Sequence, residues 1–131
     1  MNHNIRTAIE PWLTIPNCTA AIAFYTNAFV AAETYRMEDP SGGLVVKLSI
    51  DETSFWISGN ARIDEASSVK PLTIDNIRLI LVVGDPDSVF DKAIKAGATV
   101  VFPVGEEYGW RLGRLIDPFG LHWEIGHPLS E

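Results

Sequence analysis

Hydrophobic and polar residues alternate most regularly near the end of the chain. The alternation predicts two strands, at 110–116 and 121–125, joined by a turn at 117–120 that contains proline and glycine. The second strand places its apolar residues on one face and His122 and Glu124 on the other. A carboxylate on an apolar strand needs a metal ion, an arginine or a water-filled cavity beside it. We therefore expect the partner of Glu124 to decide what chemistry the protein performs.

One order of predicted elements occurs twice along the chain. Hydrophobic spacing in the first half predicts a strand, a helix and three further strands, at residues 8–15, 19–29, 33–38, 44–50 and 53–57. The second half repeats this order with a strand at 77–83, a helix between Asp85 and Gly97, and a strand at 99–103 ahead of the two strands above. The strand at 77–83 is expected to be buried on both faces apart from Arg78.

The repeat predicts an α+β fold of two βαβββ modules, because a unit of one helix and four strands cannot bury both faces of its sheet alone. We expect a single domain over residues 1–131, with module one at 8–58, a polar linker at 59–75 and module two at 76–127. The helices are expected to cover the outer face of a curled mixed β-sheet. The other face would then form a cup for a ligand.

Composition narrows the range of partners. Lys and Arg total 10 against 17 Asp and Glu, and the formal charge of −7 argues against nucleic acid and anionic membranes as partners. The chain has no apolar run of roughly 18 residues and no signal-peptide core, which predicts a cytoplasmic protein. Cys18 is the single cysteine, so we expect neither an intrachain disulfide nor a cysteine-rich metal site, and we expect its thiol to be inert. A small-molecule ligand or another protein remains.

Three motifs in order resemble one known family. They are AIAFY followed by AF in the first predicted helix, DPDSVFDKAIKAG around the second, and WRLGR, DPFG and Trp123 in the last two strands. Together with the repeat, they resemble the small glyoxalase-like members of the vicinal oxygen chelate superfamily, which includes glyoxalase I, bleomycin- and fosfomycin-resistance proteins and extradiol dioxygenases. The resemblance implies the glyoxalase/bleomycin resistance fold over nearly the whole chain. It implies no single activity, because one scaffold carries unrelated functions.

The resemblance also implies where a metal ion would be held. Members that perform chemistry hold a divalent metal with His and Glu side chains, and the corresponding positions in this chain include Glu10, Arg78 and Glu124. An arginine is always protonated and cannot donate to a metal ion. We therefore expect these three side chains to form a self-neutralised ion-pair cluster, with no tightly bound metal as cofactor. If a divalent metal is present, Glu10, His122 and Glu124 are its expected ligands.

Several side chains are candidates for contact with a ligand in the cup. Glu10 and Glu124 are the candidate catalytic carboxylates, acting as general bases. Arg78 can grip a carboxylate or phosphonate by a bidentate contact, and tryptophans can stack on a planar ligand. Arg111 and Arg114 lie three apart on one strand, so we expect only one of them to enter the cup. The candidate ligand-binding residues are Arg78, Trp12, Trp56, Trp110, Tyr108, Arg111 and His122.

The end of the first helix departs from the family pattern. Val30 stands where such sequences usually have the glycine that ends this helix. A β-branched residue disfavours positive φ, so we expect the helix to close without a left-handed residue at this position.

These observations favour a metal-independent, glyoxalase-like homodimer that binds a small molecule in its cup. The aromatic residues and the acidic balance suit an aromatic or cationic ligand, held as in sequestering resistance proteins. The alternative function is a divalent-metal-dependent lyase, isomerase or transferase, in which the metal polarises a carbonyl or stabilises an enediolate. A third alternative is a domain whose role is protein interaction.

Overall fold

A computed structural model describes residues 5–60 and 77–129 of the chain. The first half contains β1 (Trp12–Asn17), α1 (Cys18–Phe29), β2 (Ala32–Glu38), β3 (Gly43–Ile50) and β4 (Thr53–Asn60). The second half contains β5 (Leu79–Val82), α2 (Pro86–Lys95), β6 (Thr99–Glu107), β7 (Trp110–Ile116) and β8 (His122–Pro128). The predicted α+β order, βαβββ twice, is confirmed. Most of the predicted linker at 59–75 lies outside the described residues, and its first two residues end β4.

Each half forms its own four-stranded mixed sheet. The strand orders are β1-β4-β3-β2 and β5-β8-β7-β6. In each sheet the first strand of the module runs parallel to the last, and the remaining pairs are antiparallel. A parallel pair needs a crossover, which α1 and α2 begin in the two modules. No helix in the described parts of the chain is long and apolar enough to cross a membrane.

A polar side chain caps the start of each helix. Asn17 caps α1, where its side chain accepts a hydrogen bond from the Ala20 amide at 3.1 Å. Asp85 caps α2 in the same way, accepting from the Ser88 amide at 3.2 Å, and Pro86 takes the first helical position. The apolar face of α1 is buried, with Ala21, Phe24, Tyr25, Ala28 and Phe29 in the core.

The two modules meet through a buried aromatic cluster around Tyr25. The ring of Tyr25 contacts Phe55 of the first sheet and Phe119 and Trp123 of the second module, with ring centroids 5.3 to 6.1 Å apart. Its hydroxyl donates to the buried carboxylate of Asp117 at 2.5 Å. The core is therefore continuous across the two halves, and it fixes the position of β8 against α1.

Strand β5 corrects one prediction. It was expected to be buried on both faces, but Ile80 and Val82 are each 59% exposed, whereas Leu81 is buried. The reason is that α2 covers only one face of the second sheet, and β5 is an edge strand of that sheet. The continuous apolar run at 77–83 therefore corresponds to an edge strand with one exposed apolar face, and not to an interior strand.

The closure of α1 corrects a second prediction. Val30 adopts the left-handed conformation, with φ 57° and ψ 38°, and the Ala31 amide donates to the Tyr25 carbonyl at 3.2 Å. The left-handed closure that glycine usually provides is thus made by an exposed β-branched residue. The hydrogen bond to Tyr25 and the burial of Ala31 offset the backbone strain at Val30.

Candidate ligand-binding site on the second sheet

The uncovered face of the second sheet collects most of the candidate side chains. Strand alternation turns Trp123 and Ile125 towards the core and His122 and Glu124 to the uncovered side, as predicted. In the strand register, Glu124 pairs with Ile80 on one side and with Arg114 on the other. We call this side the open face of the second sheet; it carries Arg78, Ile80, Val82, Phe102, Trp110, Leu112, Arg114, His122 and Glu124.

A cavity of about 540 Å³ lies against the open face. Phe102, Trp110 and Leu112 form its apolar wall. Its charged lining residues are Arg78 and Glu124, together with Glu106 and Glu107 at the end of β6. Tyr108, in the turn after β6, stands at the rim and is 96% exposed. A smaller space of about 250 Å³ shares Trp110, Leu112 and Glu124 with the cavity. The volume is in the range that holds a small organic ligand.

Glu124 and Arg78 form an ion pair at the edge of this cavity. The Arg78 Nη1 atom lies 3.3 Å from Glu124 Oε2, and the Glu124 side chain is 17% exposed while that of Arg78 is 47% exposed. The carboxylate is thus the more buried partner, and the arginine reaches it from the solvent side. Of the three partners that the sequence allowed for Glu124, the structure has the arginine.

Arg114 and His122 form a second polar pair on the open face. The Nε and Nη2 atoms of Arg114 lie 3.2 and 2.8 Å from His122 Nδ1. Arginine can only donate, so this ring nitrogen is the acceptor and the proton of the neutral imidazole is on Nε2. His122 therefore orients the Arg114 guanidinium without cancelling its charge.

The donor set on the open face does not fit a catalytic divalent metal. Such an ion normally has three protein ligands, and these are usually carboxylates, imidazoles or thiolates. Among residues 5–60 and 77–129, no three His, Cys, Asp or Glu side chains lie together as a metal site would require. The available carboxylate, Glu124, has a guanidinium at 3.3 Å, and the lone pair of His122 Nδ1 is taken by Arg114.

Glu10 lies on the first sheet and does not join Arg78 and Glu124. It accepts a hydrogen bond from Trp56 Nε1 at 2.8 Å, and its Oε2 lies 3.5 Å from Lys47 Nζ. The hydrogen bond from Trp56, together with the charge of Lys47, lowers the pKa of the Glu10 carboxyl. The predicted cluster of Glu10, Arg78 and Glu124 is therefore wrong within one chain. Glu10 pairs instead with Lys47 of the first sheet, and Glu124 pairs with Arg78 beside the second.

The predicted aromatic lining is divided between the two sheets. Trp12 and Trp56 stack on the first sheet with centroids 5.9 Å apart, and Tyr35 meets Trp56 edge-on at 5.7 Å. Lys47 lies over the Trp56 ring at 5.3 Å. Trp110 is on the open face of the second sheet. Among the predicted tryptophans, only Trp110 lines the cavity beside Glu124.

Arg111 and Arg114 do lie on opposite faces of β7, but the assignment between them was wrong. Arg111 is on the helix-covered side, where Nε and Nη2 bind both carboxylate oxygens of Asp87 at 2.8 and 2.5 Å. This bond lowers the pKa of the Asp87 carboxyl. The alternation of side chains along a strand predicts that the two arginines lie on opposite faces, but it does not predict which face the helix covers. Arg114 is thus the arginine of β7 that lies on the open face, and it was not among the residues selected from the sequence.

Cys18 and His127 lie away from the open face. Cys18 is fully buried at the start of α1, and burial raises the pKa of its thiol to about 11. His127 lies on β8 beside the Pro128 carbonyl, on the side opposite to Glu124.

A larger space of about 750 Å³ runs between the modules, along residues 8–11, 50–55 and 79–85. Its charged lining residues are all acidic, and it contains no paired cation and carboxylate.

Comparison with solved structures defines the class of fold. TioX from Micromonospora sp. ML1 has a TM-score of 0.71 at 19% identity, covering 95% of this chain and 100% of TioX. The fosfomycin resistance protein FosX from Listeria monocytogenes has a TM-score of 0.71 at 16% identity, covering 95% and 94%. FosX complexed with Mn(II) and a sulfate ion has a TM-score of 0.66 at 14% identity, covering 94% and 93%. The chain shares the fold of these proteins, which is the glyoxalase/bleomycin resistance fold.

Comparison with known sequences shows the family of the chain. No family model matches the chain. The uncharacterized protein Rv0887c of Mycobacterium tuberculosis is 33% identical over 134 residues, which cover 98% of this chain and 78% of that protein. Mb0911c of Mycobacterium bovis is 33% identical over 134 residues, covering 98% and 88%. The chain belongs to the family of these mycobacterial proteins.

Proposed function

We propose that the protein binds a small organic molecule on the open face of the second sheet, without a tightly held metal ion. One observation carries the proposal: the cavity of about 540 Å³ brings an apolar wall and the Arg78–Glu124 ion pair together. Ligand sites are typically concave and mostly apolar, with a few polar groups that set the orientation.

The wall of the cavity suits a flat or apolar ligand body. Phe102, Trp110 and Leu112 present apolar surface that a ligand would remove from water. Stacking on an aromatic ring adds roughly 0.5–1.5 kcal/mol beyond the burial of area. The polar pair then selects among ligands of similar shape.

A titration tests the binding function directly. Purified protein is titrated with fosfomycin, bleomycin and a set of small planar aromatic compounds, and tryptophan fluorescence is followed because Trp110 lines the cavity. The control is Gly105→Phe. Gly105 lines the cavity, and a Cβ added there meets nothing within 4 Å, so the larger side chain fills the space without displacing backbone.

We expect at least one compound to change the fluorescence of the wild type, and Gly105→Phe to weaken that binding by at least about tenfold. Unchanged fluorescence across the whole set contradicts the proposal. Binding that survives Gly105→Phe contradicts the assignment to this cavity.

We also propose that the protein acts as a homodimer. Support comes from apolar and aromatic residues that stand exposed on the uncovered faces of both sheets, including Trp12, Tyr35, Ile80 and Val82. Contiguous exposed apolar surface of this kind often marks an interaction site. Light scattering after size-exclusion chromatography should give twice the chain mass of 14.4 kDa, and a value equal to one chain counts against the dimer.

The alternative function is a divalent-metal-dependent enzyme of the glyoxalase type. The observation that favours it is the shared fold with FosX complexed with Mn(II). In this chain Glu10, His122 and Glu124 would be the ligands, brought together by a second copy. Chelator-treated protein is titrated with Mn(II) and the free ion is followed by electron paramagnetic resonance. Tight stoichiometric binding that is lost in Glu124→Gln favours this alternative over ours.

A further inference from the structure

Charge on the open face is balanced, although the formal net charge of the whole protein is −7. Arg78 and Arg114 stand beside Glu124, and Glu107 lies at the end of β6, where it pairs in register with Trp110. Glu106 also lines the cavity, and it forms an ion pair with Arg111. The open face therefore carries two arginines and two carboxylates, and its arginines differ in whether a carboxylate contacts them.

Arg114 is the arginine of the open face that contacts no carboxylate among the described residues. It is half-buried, and its hydrogen bonds run from two of its nitrogens to the one nitrogen of His122. Within residues 5–60 and 77–129, it takes part in no ion pair, whereas Arg78 and Arg111 each bind a carboxylate. A guanidinium has five N–H donors in a planar fork that matches a carboxylate or phosphonate. Most of its donors and all of its charge thus remain for another group.

The position of Arg114 places it next to the cavity. It follows Leu112 on the same face of β7, and it pairs in register with Glu124 on β8 and with Phe102 on β6. Leu112, Glu124 and Phe102 all line the cavity. A ligand whose body lies against these apolar side chains would have its end directed at Arg114.

We propose that Arg114, held by His122, is the anion-recognising residue of this site, and that the ligand is a small molecule with an aromatic or apolar body and one carboxylate or phosphonate group. The inference rests on the proposed binding function and specifies its ligand class. Arg78 does not fill this role, because it already neutralises Glu124 at 3.3 Å. A cationic ligand at this point of the face would meet the Arg114 guanidinium and Glu124, a carboxylate that is already paired with Arg78.

The test compares ligands that share a phenyl ring and differ in charge. Phenylacetate and phenylphosphonate are the anions, phenylacetamide is the neutral probe and phenethylammonium is the cation, each titrated by ligand-observed NMR. The variants are Arg114→Gln and Arg114→Lys. The matched control is Arg36→Gln, which removes an arginine from β2 of the first sheet, where it pairs with Glu33 and does not line the cavity.

We expect the anions to bind wild type at least about tenfold more tightly than the amide, since a charge-assisted hydrogen bond is worth that factor or more. Arg114→Gln should abolish this preference while leaving the binding of the amide unchanged. Arg114→Lys should keep part of the preference, because it retains the charge and loses the fork. Arg36→Gln should bind every probe as wild type does.

Two kinds of failure are distinguishable. If the amide or the cation binds wild type as tightly as the anions, and Gly105→Phe weakens all of them, the cavity binds ligands and the anion assignment is overturned. An equal loss of anion binding in Arg36→Gln overturns it too. If no probe binds wild type at all, the anion inference and the binding function both fail.

Discussion

The hydrogen-bonded carboxylate of Asp117 should be the most sensitive polar position in the core. Its Oδ2 accepts from Tyr25 Oη at 2.5 Å and from Trp123 Nε1 at 2.9 Å. Its Oδ1 accepts from the backbone amides of Phe119 and Leu121 at 2.9 and 3.0 Å. All four neighbours donate, so the site requires a group that only accepts, and Asp117 joins α1 of one module to β8 of the other.

Two substitutions probe this site with different expected costs. Tyr25→Phe removes one charge-assisted hydrogen bond and leaves three donors on the carboxylate, which should cost about 2 kcal/mol. Asp117→Asn should cost about 3–5 kcal/mol. In either orientation of the new amide, its NH₂ group faces two of the groups that donate to Asp117. The substitution also removes the negative charge that strengthened the other hydrogen bonds. Burial and the neighbouring Asp117 carboxylate raise the pKa of Tyr25 well above its ordinary value, so its hydroxyl stays a donor throughout the neutral range.

Urea unfolding followed by circular dichroism and tryptophan fluorescence measures these costs. Tyr35→Phe is the matched control, because Tyr35 is exposed and its hydroxyl has no hydrogen-bond partner among the described residues; it should change the free energy of unfolding by less than about 0.5 kcal/mol. The expected order of destabilisation is Asp117→Asn, then Tyr25→Phe, then Tyr35→Phe. If Asp117→Asn is milder than Tyr25→Phe, the four-donor account of this site is refuted.

Three further predictions concern backbone strain, close packing and burial. Val30→Gly should raise the free energy of unfolding by about 0.5–1 kcal/mol, because glycine adopts the observed φ of 57° without strain; a loss of stability in urea would contradict the left-handed closure of α1. Gly126→Ala should destabilise by several kcal/mol while Gly105→Ala stays within about 1 kcal/mol, since a Cβ at Gly126 would come within 2.2 Å of a β7 carbonyl and one at Gly105 meets nothing; equal melting temperatures for the two variants would refute this. Cys18 should react with an aromatic disulfide reagent at pH 8 only after unfolding, because the thiol is buried and its pKa is about 11; rapid reaction of the native protein would show that the start of α1 opens.

The fold was largely predictable because hydrophobic period and turn residues act locally. The alternation in β8 correctly separated Trp123 and Ile125 from Glu124, since successive side chains on any strand point to opposite faces. The caps at Asn17 and Asp85 likewise depend on a few neighbouring residues. Such features need no knowledge of the rest of the chain.

What could not be predicted depended on which face a distant element covers. The apolar run in β5 reads the same whether it is an interior strand or an edge strand with one open face, and only the placement of α2 decides. The same placement decides that Arg114 rather than Arg111 faces the ligand site. Asp117 was recognised only as a turn residue, because its partner Tyr25 lies 92 positions earlier in the chain.

Elemental analysis of gently purified protein tests the central claim most directly. The claim is that Arg78 forms an ion pair with Glu124, so that Glu124 is not free to bind a metal ion. The open face then binds its ligand through protein side chains alone. Cells are grown with added Mn, Ni, Zn and Fe, and the metal content is measured by mass spectrometry for wild type and for Glu124→Gln. Our account predicts far less than one metal ion per chain in both proteins. Near one ion per chain in wild type, lost in Glu124→Gln, would contradict it.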